Sequence, residues 1–280
     1  MLTIKAPAKI NWFLHVTGRR KDGFHDIFSL MQCVSLFDTL TFQSAGAIEV
    51  HCGADIPLED NLVYRAALLL QKRSGTSGGA RITLEKDIPM AAGLGGGSSD
   101  AATTLLGLND LWGLRLGLER LMEIASELGS DVPFFVSGGP SLASGRGEKL
   151  EPLLKGPSCA IALIKPPIGV SAGSAYSGLQ KYSESVPSSQ EIREALKKAA
   201  VKDIIPFMQN DLETPVFEAH PEIRRIKESL LRHGAMACLM SGSGSTLFGA
   251  FKSEDEASIA VEAVKKDLEP DLWSTVVRTI

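Results

Sequence analysis

The chain is poor in cysteine. Its four, Cys33, Cys52, Cys159 and Cys238, lie far apart and form no CxxC pair. That spacing argues against a disulfide frame or a cysteine zinc site and for thiols buried in a reducing compartment. The five histidines include no HExxH pair, so any metal is expected to arrive with a substrate. Long apolar runs are missing too. Residues 159–164 are as long as any, far short of the roughly 20 needed to span a bilayer. Lys5 and Pro7 fall where a signal peptide needs its apolar region. Neither sign of charge dominates: 29 Lys and Arg face 33 Asp and Glu, a formal net charge of −4 with no basic footprint for nucleic acid. The expectation is a cytoplasmic globular protein that binds neither membrane nor nucleic acid. At 280 residues, 44% apolar and 22% charged, it has the length of roughly two domains and the composition of a core-forming chain.

What the chain does have is glycine, concentrated in PMAAGLGGGSSDAA at residues 89–102. Ahead of this stretch, residues 81–86 alternate, with Ile82 and Leu84 on one side and Arg81, Thr83 and Glu85 on the other, as in a half-buried strand. Behind it, Ala101, Leu105, Leu108 and Trp112 recur at helical spacing, with Ser98 or Ser99 expected as the N-cap. Gly93, Gly95, Gly96 and Gly97 therefore join a strand to a helix start. Backbone without Cβ atoms can approach a ligand closely, and the first helical N–H groups lack partners. The helix dipole favours an anion there, most economically a phosphate chain. A flexible hairpin or tight cap is the plainer reading. Two common phosphate templates fail: no Lys-Ser/Thr follows the last glycine, and the third glycine of a dinucleotide fingerprint would fall at Ser98.

Near the start, residues 10–16 have period two. Ile10, Trp12, Leu14 and Val16 face one way, and Lys9, Asn11, Phe13 and His15 the other. Lys9 is either a solvated edge lysine or, among Ala6, Pro7, Ala8 and Ile10, a cation that needs an anionic partner. Residues 19–23 form a charged turn ending in Phe24 and His25. It is either a hairpin tip with Asp-Gly chemistry or a pair of rings for a flat ligand. Strand-like runs cover 28–36, 40–42 and 48–51. Asp60 is expected to cap a helix through Lys72, and another helix over 118–128 to stop at Gly129. Asp131, before Val-Pro-Phe-Phe, is either a cap or a carboxylate fixed beside a ligand. A boundary is expected near 152–157. Beyond it, strands at 160–165, 235–240, 246–251 and 273–278 mix with helices at 188–200, 211–219, 221–233 and 254–268, an α+β pattern. SGSGS at 241–245 is either a plain hairpin or a second small-residue loop of a ligand site.

Taken together, PAKIN around Lys9, the glycine stretch and the late SGSGS resemble the three motifs of the GHMP small-molecule kinases. GRRKDGFH at 18–25, GSDVPFF at 129–135, KPPIGVS at 165–171 and NDLE at 210–213 are similar to the branch acting on a cytidine-diphosphate-linked methylerythritol. Phe24 departs from that pattern, which commonly has Tyr there. The resemblance implies an α+β, two-domain GHMP kinase fold: an N-terminal domain like domain 2 of ribosomal protein S5 over 1–155, and a ferredoxin-like C-terminal domain over 156–280. It implies that ATP, with Mg²⁺, and the cytidylyl substrate are held in a cleft. Lys9 and Asp131 would be catalytic, with Asn11 orienting them. Met90, Ala91, Ala92, Gly93, Leu94, Gly95, Gly96, Gly97, Ser98, Ser99 and Asp100 would wrap the ATP phosphates. Phe24 and His25 would read cytosine, with Tyr176 a further stacking ring. The metal ligands are not assigned, and a monomer or weak homodimer is expected. The alternatives are a sister kinase acting on homoserine or mevalonate, and a non-catalytic nucleotide-binding relative. The latter would be expected to have lost Lys9 or Asp131.

Overall fold

The computed structural model describes residues 1–53, 56–269 and 271–280. The chain opens with strands β1 (Leu2–Arg19), β2 (His25–Ala45) and β3 (Ile48–Cys52), then helix α1 (Leu62–Ser74) and β4 (Gly79–Glu85). Helices α2 (Gly96–Leu111), α3 (Leu118–Ser126) and α4 (Val132–Ser137) follow, then β5 (Ser141–Gly145), β6 (Lys149–Pro152) and β7 (Ala160–Lys165). Next come α5 (Ala172–Ser177), α6 (Ser189–Ala195), α7 (Val201–Ile204), α8 (Glu213–Ala219) and α9 (Pro221–Arg232). The chain ends with β8 (Ala237–Met240), β9 (Leu247–Phe251), α10 (Glu254–Asp267) and β10 (Trp273–Arg278).

The described residues form two compact units that interleave along the chain. One comprises Met1–Ala8, Leu36–Met90 and Gly95–Gly138; the other comprises Lys9–Ser35, Ala91–Leu94 and Gly139–Ile280. The boundary expected at residue 155 follows chain order, whereas these packing units exchange segments of β1 and β2.

In the first unit, β4 pairs parallel to β3 and antiparallel to the second half of β2, with Ile82 opposite Val50 and Phe42. Its alternation is as expected: Ala80, Ile82 and Leu84 are buried, while Arg81, Thr83 and Glu85 are exposed. Helix α2 packs on this sheet at Gly107, where a Cβ would come 2.6 Å from the Phe42 ring. Two caps differ from expectation. Asn61, not Asp60, caps α1, because it has the extended backbone a cap requires and its side chain accepts the Val63 N–H. Helix α2 starts earlier, at Gly96, behind Gly95 in a left-handed conformation with φ 71°. Ser98 and Ser99 thus lie inside its first turn. Helix α3 ends at Ser126, and the apolar residues after Asp131 form α4.

In the second unit, β10-β7-β9-β8 form an antiparallel sheet. Helices α9 and α10 pack on it, and Leu14 and Val16 of β1 join the same apolar core. Each such side chain contributes about 1.5–3 kcal/mol when fully buried. SGSGS closes the β8–β9 hairpin, with Ser241 N–H donating to Thr246 O at 3.0 Å. The turn residues after Gly138 form a hairpin, β5–β6, which pairs with the first half of β2 through β5.

Candidate functional site

Both faces of β1 are covered in the second unit, so Lys9 is not a solvated edge lysine: it is 4% exposed. Its Nζ donates to Asn11 Oδ1 at 2.5 Å. Asn11 Nδ2 then donates to Ser29 Oγ at 2.8 Å, and Ser29 Oγ to Phe13 O at 2.6 Å. A buried ammonium held by an oriented amide keeps its charge at a fixed point. Ser29, on β2, had no signal in the sequence.

Residues 92–94 of the glycine stretch are held in this same unit through their carbonyls. Thr246 N–H donates to Ala92 O at 3.3 Å, Ser241 Oγ to Gly93 O at 2.9 Å, and Lys9 N–H to Leu94 O at 2.9 Å. Turning carbonyls toward protein removes the acceptors that would repel an anion. Gly93 has φ 74°, and a Cβ on it would come 2.0 Å from Ser241 O, so only glycine fits against the SGSGS turn. Gly242, with φ 56°, lies beside the Lys9 amine: a Cβ there would be 3.1 Å from Nζ.

The NDLE motif explains how that turn is held. Asn210 Nδ2 donates to Met240 O and to Gly242 O, each at 2.8 Å, while its Oδ1 accepts the Leu212 N–H. Asp211 Oδ2 accepts the Val16 N–H at 2.6 Å and the Ser183 hydroxyl at 2.8 Å. Because Ser183 spends its proton on Asp211, its oxygen accepts from His15 Nδ1–H at 3.1 Å. His15 Nε2 is then a buried acceptor with no hydrogen-bond partner among the described residues. Burial holds the His15 pKa below its usual value despite Asp211, which fits a neutral ring.

The residues expected to read a base divide. His25 stacks on Tyr176, with ring centroids 5.0 Å apart and planes 21° from parallel, and Tyr182 approaches at 6.0 Å. Tyr176 belongs to helix α5. Burial first, and Arg19 second, keep the His25 pKa below its ordinary value, so the ring is neutral near pH 7. Phe24 is 51% exposed at the hairpin tip, with the Arg146 guanidinium over its ring at 4.7 Å. Tyr182 was not singled out from the sequence, where it sits among polar residues.

In the first unit, Asp131 is half-buried at the N-cap position of α4, yet its side chain makes no capping hydrogen bond. The plain capping reading is thereby removed. Asp100, at the end of the glycine stretch, receives Lys86 Nζ at 2.7 Å, and the same amine donates to Asp38 Oδ2 at 2.5 Å. Burial raises the Asp100 pKa to about 7; Lys86 opposes that shift and Asp38 adds to it. The two carboxylates outweigh burial at Lys86 and leave its pKa raised. Ser99 Oγ and Asp100 Oδ1 are buried with no hydrogen-bond partner among the described residues. Among the described residues, no group of three or more His, Cys, Asp or Glu side chains is placed to hold a metal. Ser99 Oγ, in the first turn of α2, is a hard oxygen donor of the kind Mg²⁺ takes alongside substrate phosphates.

Comparison with known proteins agrees with this arrangement. The model of the GHMP kinases N-terminal domain matches residues 61–139, and that of the GHMP kinases C-terminal domain matches residues 192–269. A relative from Thermodesulfovibrio yellowstonii named 4-diphosphocytidyl-2-C-methyl-D-erythritol kinase is 42% identical over 100% of this chain and 98% of its own. A crystal structure of 4-(cytidine 5′-diphospho)-2C-methyl-D-erythritol kinase superposes with a TM-score of 0.83 at 36% identity, covering 99% of both chains. Homoserine kinase from Cytophaga hutchinsonii shares the fold, with a TM-score of 0.74 at 21% identity over 100% of this chain and 94% of that one. The fold is the two-domain, mixed α and β fold of these kinases. The chain belongs to the GHMP kinases, and within them to the family of the 4-diphosphocytidyl-2-C-methyl-D-erythritol kinases.

Proposed function

We propose that the chain transfers the γ-phosphoryl group of ATP to the tertiary 2-hydroxyl of 4-diphosphocytidyl-2-C-methyl-D-erythritol. The products are ADP and the 2-phosphate, in the non-mevalonate route to isoprenoids. Full-length similarity to a relative of that name supports the substrate. The observation that carries the chemistry is the buried Lys9 ammonium, held by Asn11 against the Gly242 backbone.

Phosphoryl transfer has a loose transition state, so the protein mainly positions groups and balances charge. The Lys9 ammonium offsets negative charge on the moving phosphoryl group. The tertiary hydroxyl needs a base, and Asp131 is assigned that role, worth typically about 10²–10⁴-fold. Asn11 fixes the direction of the amine. Residues 90–100 hold the triphosphate through the N–H groups at the start of α2. The hydroxyls of Ser98 and Ser99 would be available to phosphate or to a phosphate-bound Mg²⁺, which would neutralise phosphate charge. His25 as a neutral ring, with Tyr176 and Phe24, recognises the cytosine by stacking and hydrogen bonding. The division 1–155 and 156–280 is assigned to the family's nucleotide-binding and C-terminal domains. The enzyme acts in the cytoplasm as a monomer or weak homodimer.

The test is an ATP-consumption assay with the cytidylyl substrate beside homoserine and mevalonate. Turnover is expected with the cytidylyl alcohol alone. Comparable turnover with homoserine or mevalonate, or none with any of the three, overturns the assignment.

A further inference from the structure

We propose that Lys86 is a positioning residue for nucleotide binding: by bridging Asp38 and Asp100, it sets where the first turn of α2 stands relative to the end of β4. This inference rests on the reading of residues 90–100 as the ATP phosphate stretch. Lys86 precedes that stretch and Asp100 ends it, so the bridge joins its two flanks.

The geometry is that of a clamp. Asp38 is fully buried; its Oδ2 takes the Lys86 amine at 2.5 Å, and its Oδ1 takes the N–H groups of Asp87 and Ile88 at 2.7 and 2.8 Å. One carboxylate thus holds three consecutive residues just past β4. From there, two contacts reach α2. The Lys86 amine extends to Asp100 at 2.7 Å, and Ile88 packs on Gly96 so closely that a Cβ there would lie 2.9 Å from Ile88 Cγ2. The second contact fixes the first residue of the helix, and the first contact fixes its first turn.

A buried ion pair adds little net stability compared with an apolar replacement. What short, charge-assisted bonds supply is direction. Above about pH 7, where Asp100 is ionised, the cluster also carries two carboxylates against one ammonium, beside a helix start that is assigned to an anion. Position and charge therefore make opposite forecasts for Asp100. Removing its carboxylate removes negative charge, which by electrostatics alone would tighten ATP binding. If the bridge acts by position, the same change weakens it.

The experiment uses Asp100→Ala, which keeps the Lys86–Asp38 pair, together with Lys86→Met and Lys86→Arg. It reads KM for ATP and for the cytidylyl substrate, kcat, the Kd of a non-hydrolysable ATP analogue by calorimetry, and the melting temperature. Asp100→Ala and Lys86→Met are expected to raise KM and Kd for the nucleotide about tenfold or more, while KM for the alcohol stays within about twofold. Lys86→Arg, which can still bridge two carboxylates, is expected to recover most of the affinity. A purely structural role would lower the melting temperature and the active fraction, leaving both KM values in place, and would overturn the proposal. So would tighter ATP binding in Asp100→Ala, or an equal rise in both KM values. If Lys86→Met does not fold, Asp100→Ala decides. A wild-type chain that binds no ATP analogue overturns both the phosphate-stretch reading and the inference. Wild-type binding with an unchanged Asp100→Ala overturns the inference alone.

Discussion

At the scale of single residues, the chemistry assigned to Lys9 and Asp131 makes different demands on each side chain. Lys9 is buried with its amine on Asn11, so removing it leaves the Asn11 carbonyl oxygen without that donor as well as deleting a charge. Asp131 is half-buried and does not cap α4, and its exchange for the near-isosteric amide keeps the side chain's size while removing its basicity. Asp131→Asn and Lys9→Ala are each expected to cut kcat by at least about a hundredfold. Both variants should remain folded, and Lys9→Ala should melt below the wild type. Steady-state kinetics beside a thermal melt checks both. Near-normal turnover in a folded Asp131→Asn protein would remove Asp131 from the base role. Lys9 and Asn11 could be placed together from the sequence because period two sets them on one strand face. Lys86, Asp38 and Asp100 could not, since no local pattern joins a charge on β2, one past β4 and one in α2.

At the scale of elements, the glycine stretch is shaped by where a Cβ can and cannot go. At Gly93 a Cβ would strike the Ser241 carbonyl oxygen at 2.0 Å and the Gly244 nitrogen at 2.9 Å, with φ at 74°. At Gly97 its nearest neighbour would be Leu62 Cδ1 at 3.4 Å, an ordinary contact within a helix. Gly93→Ala is therefore expected to displace the loop and reduce kcat/KM for ATP by about a hundredfold, while Gly97→Ala folds at least as stably as the wild type. Melting curves and ATP kinetics on the two variants separate them; equal losses would mean that glycine content, rather than the Ser241 contact, sets the loop. The existence of this strand–loop–helix was legible, because alternation and helical spacing flank it. Its cap was not: serine is the usual N-cap signal, but three glycines let the helix begin at Gly96. The expected runs at 28–36 and 40–42 are one strand, β2, which runs on through polar Asp38 and Thr39, with Thr39 paired to Glu85 of β4. Short α4, β5 and β6 escaped notice because four to six residues hold too few periods to show.

At the scale of the whole chain, a cut at residue 155 and the packing units make different claims about what can stand alone. The sheet β10-β7-β9-β8 and helices α8–α10 lie entirely after that cut, as the sequence pattern indicated. Their core, however, includes Leu14, Val16 and Ile27 from the first thirty residues. The backbone is tied as well: Leu14 N–H donates to Gln209 O at 2.7 Å, Asp211 N–H to Leu14 O at 3.0 Å, and Val16 N–H to Asp211 Oδ2 at 2.6 Å. Cutting β1 away strips these partners from Gln209 and Asp211, at a net cost of about 0.5–1.5 kcal/mol for each hydrogen bond lost. It also opens the apolar core that Leu14 and Val16 cover, at about 1.5–3 kcal/mol per side chain. Against the 5–15 kcal/mol that typically holds a domain folded, that loss is large. A fragment of residues 156–280 is therefore expected to melt at a lower temperature and less sharply than the whole chain by far-ultraviolet circular dichroism. Adding a peptide of residues 9–35 should restore part of the loss. A fragment that melts like the intact chain would show that the core closes without β1, and that the sequence boundary is also the folding boundary.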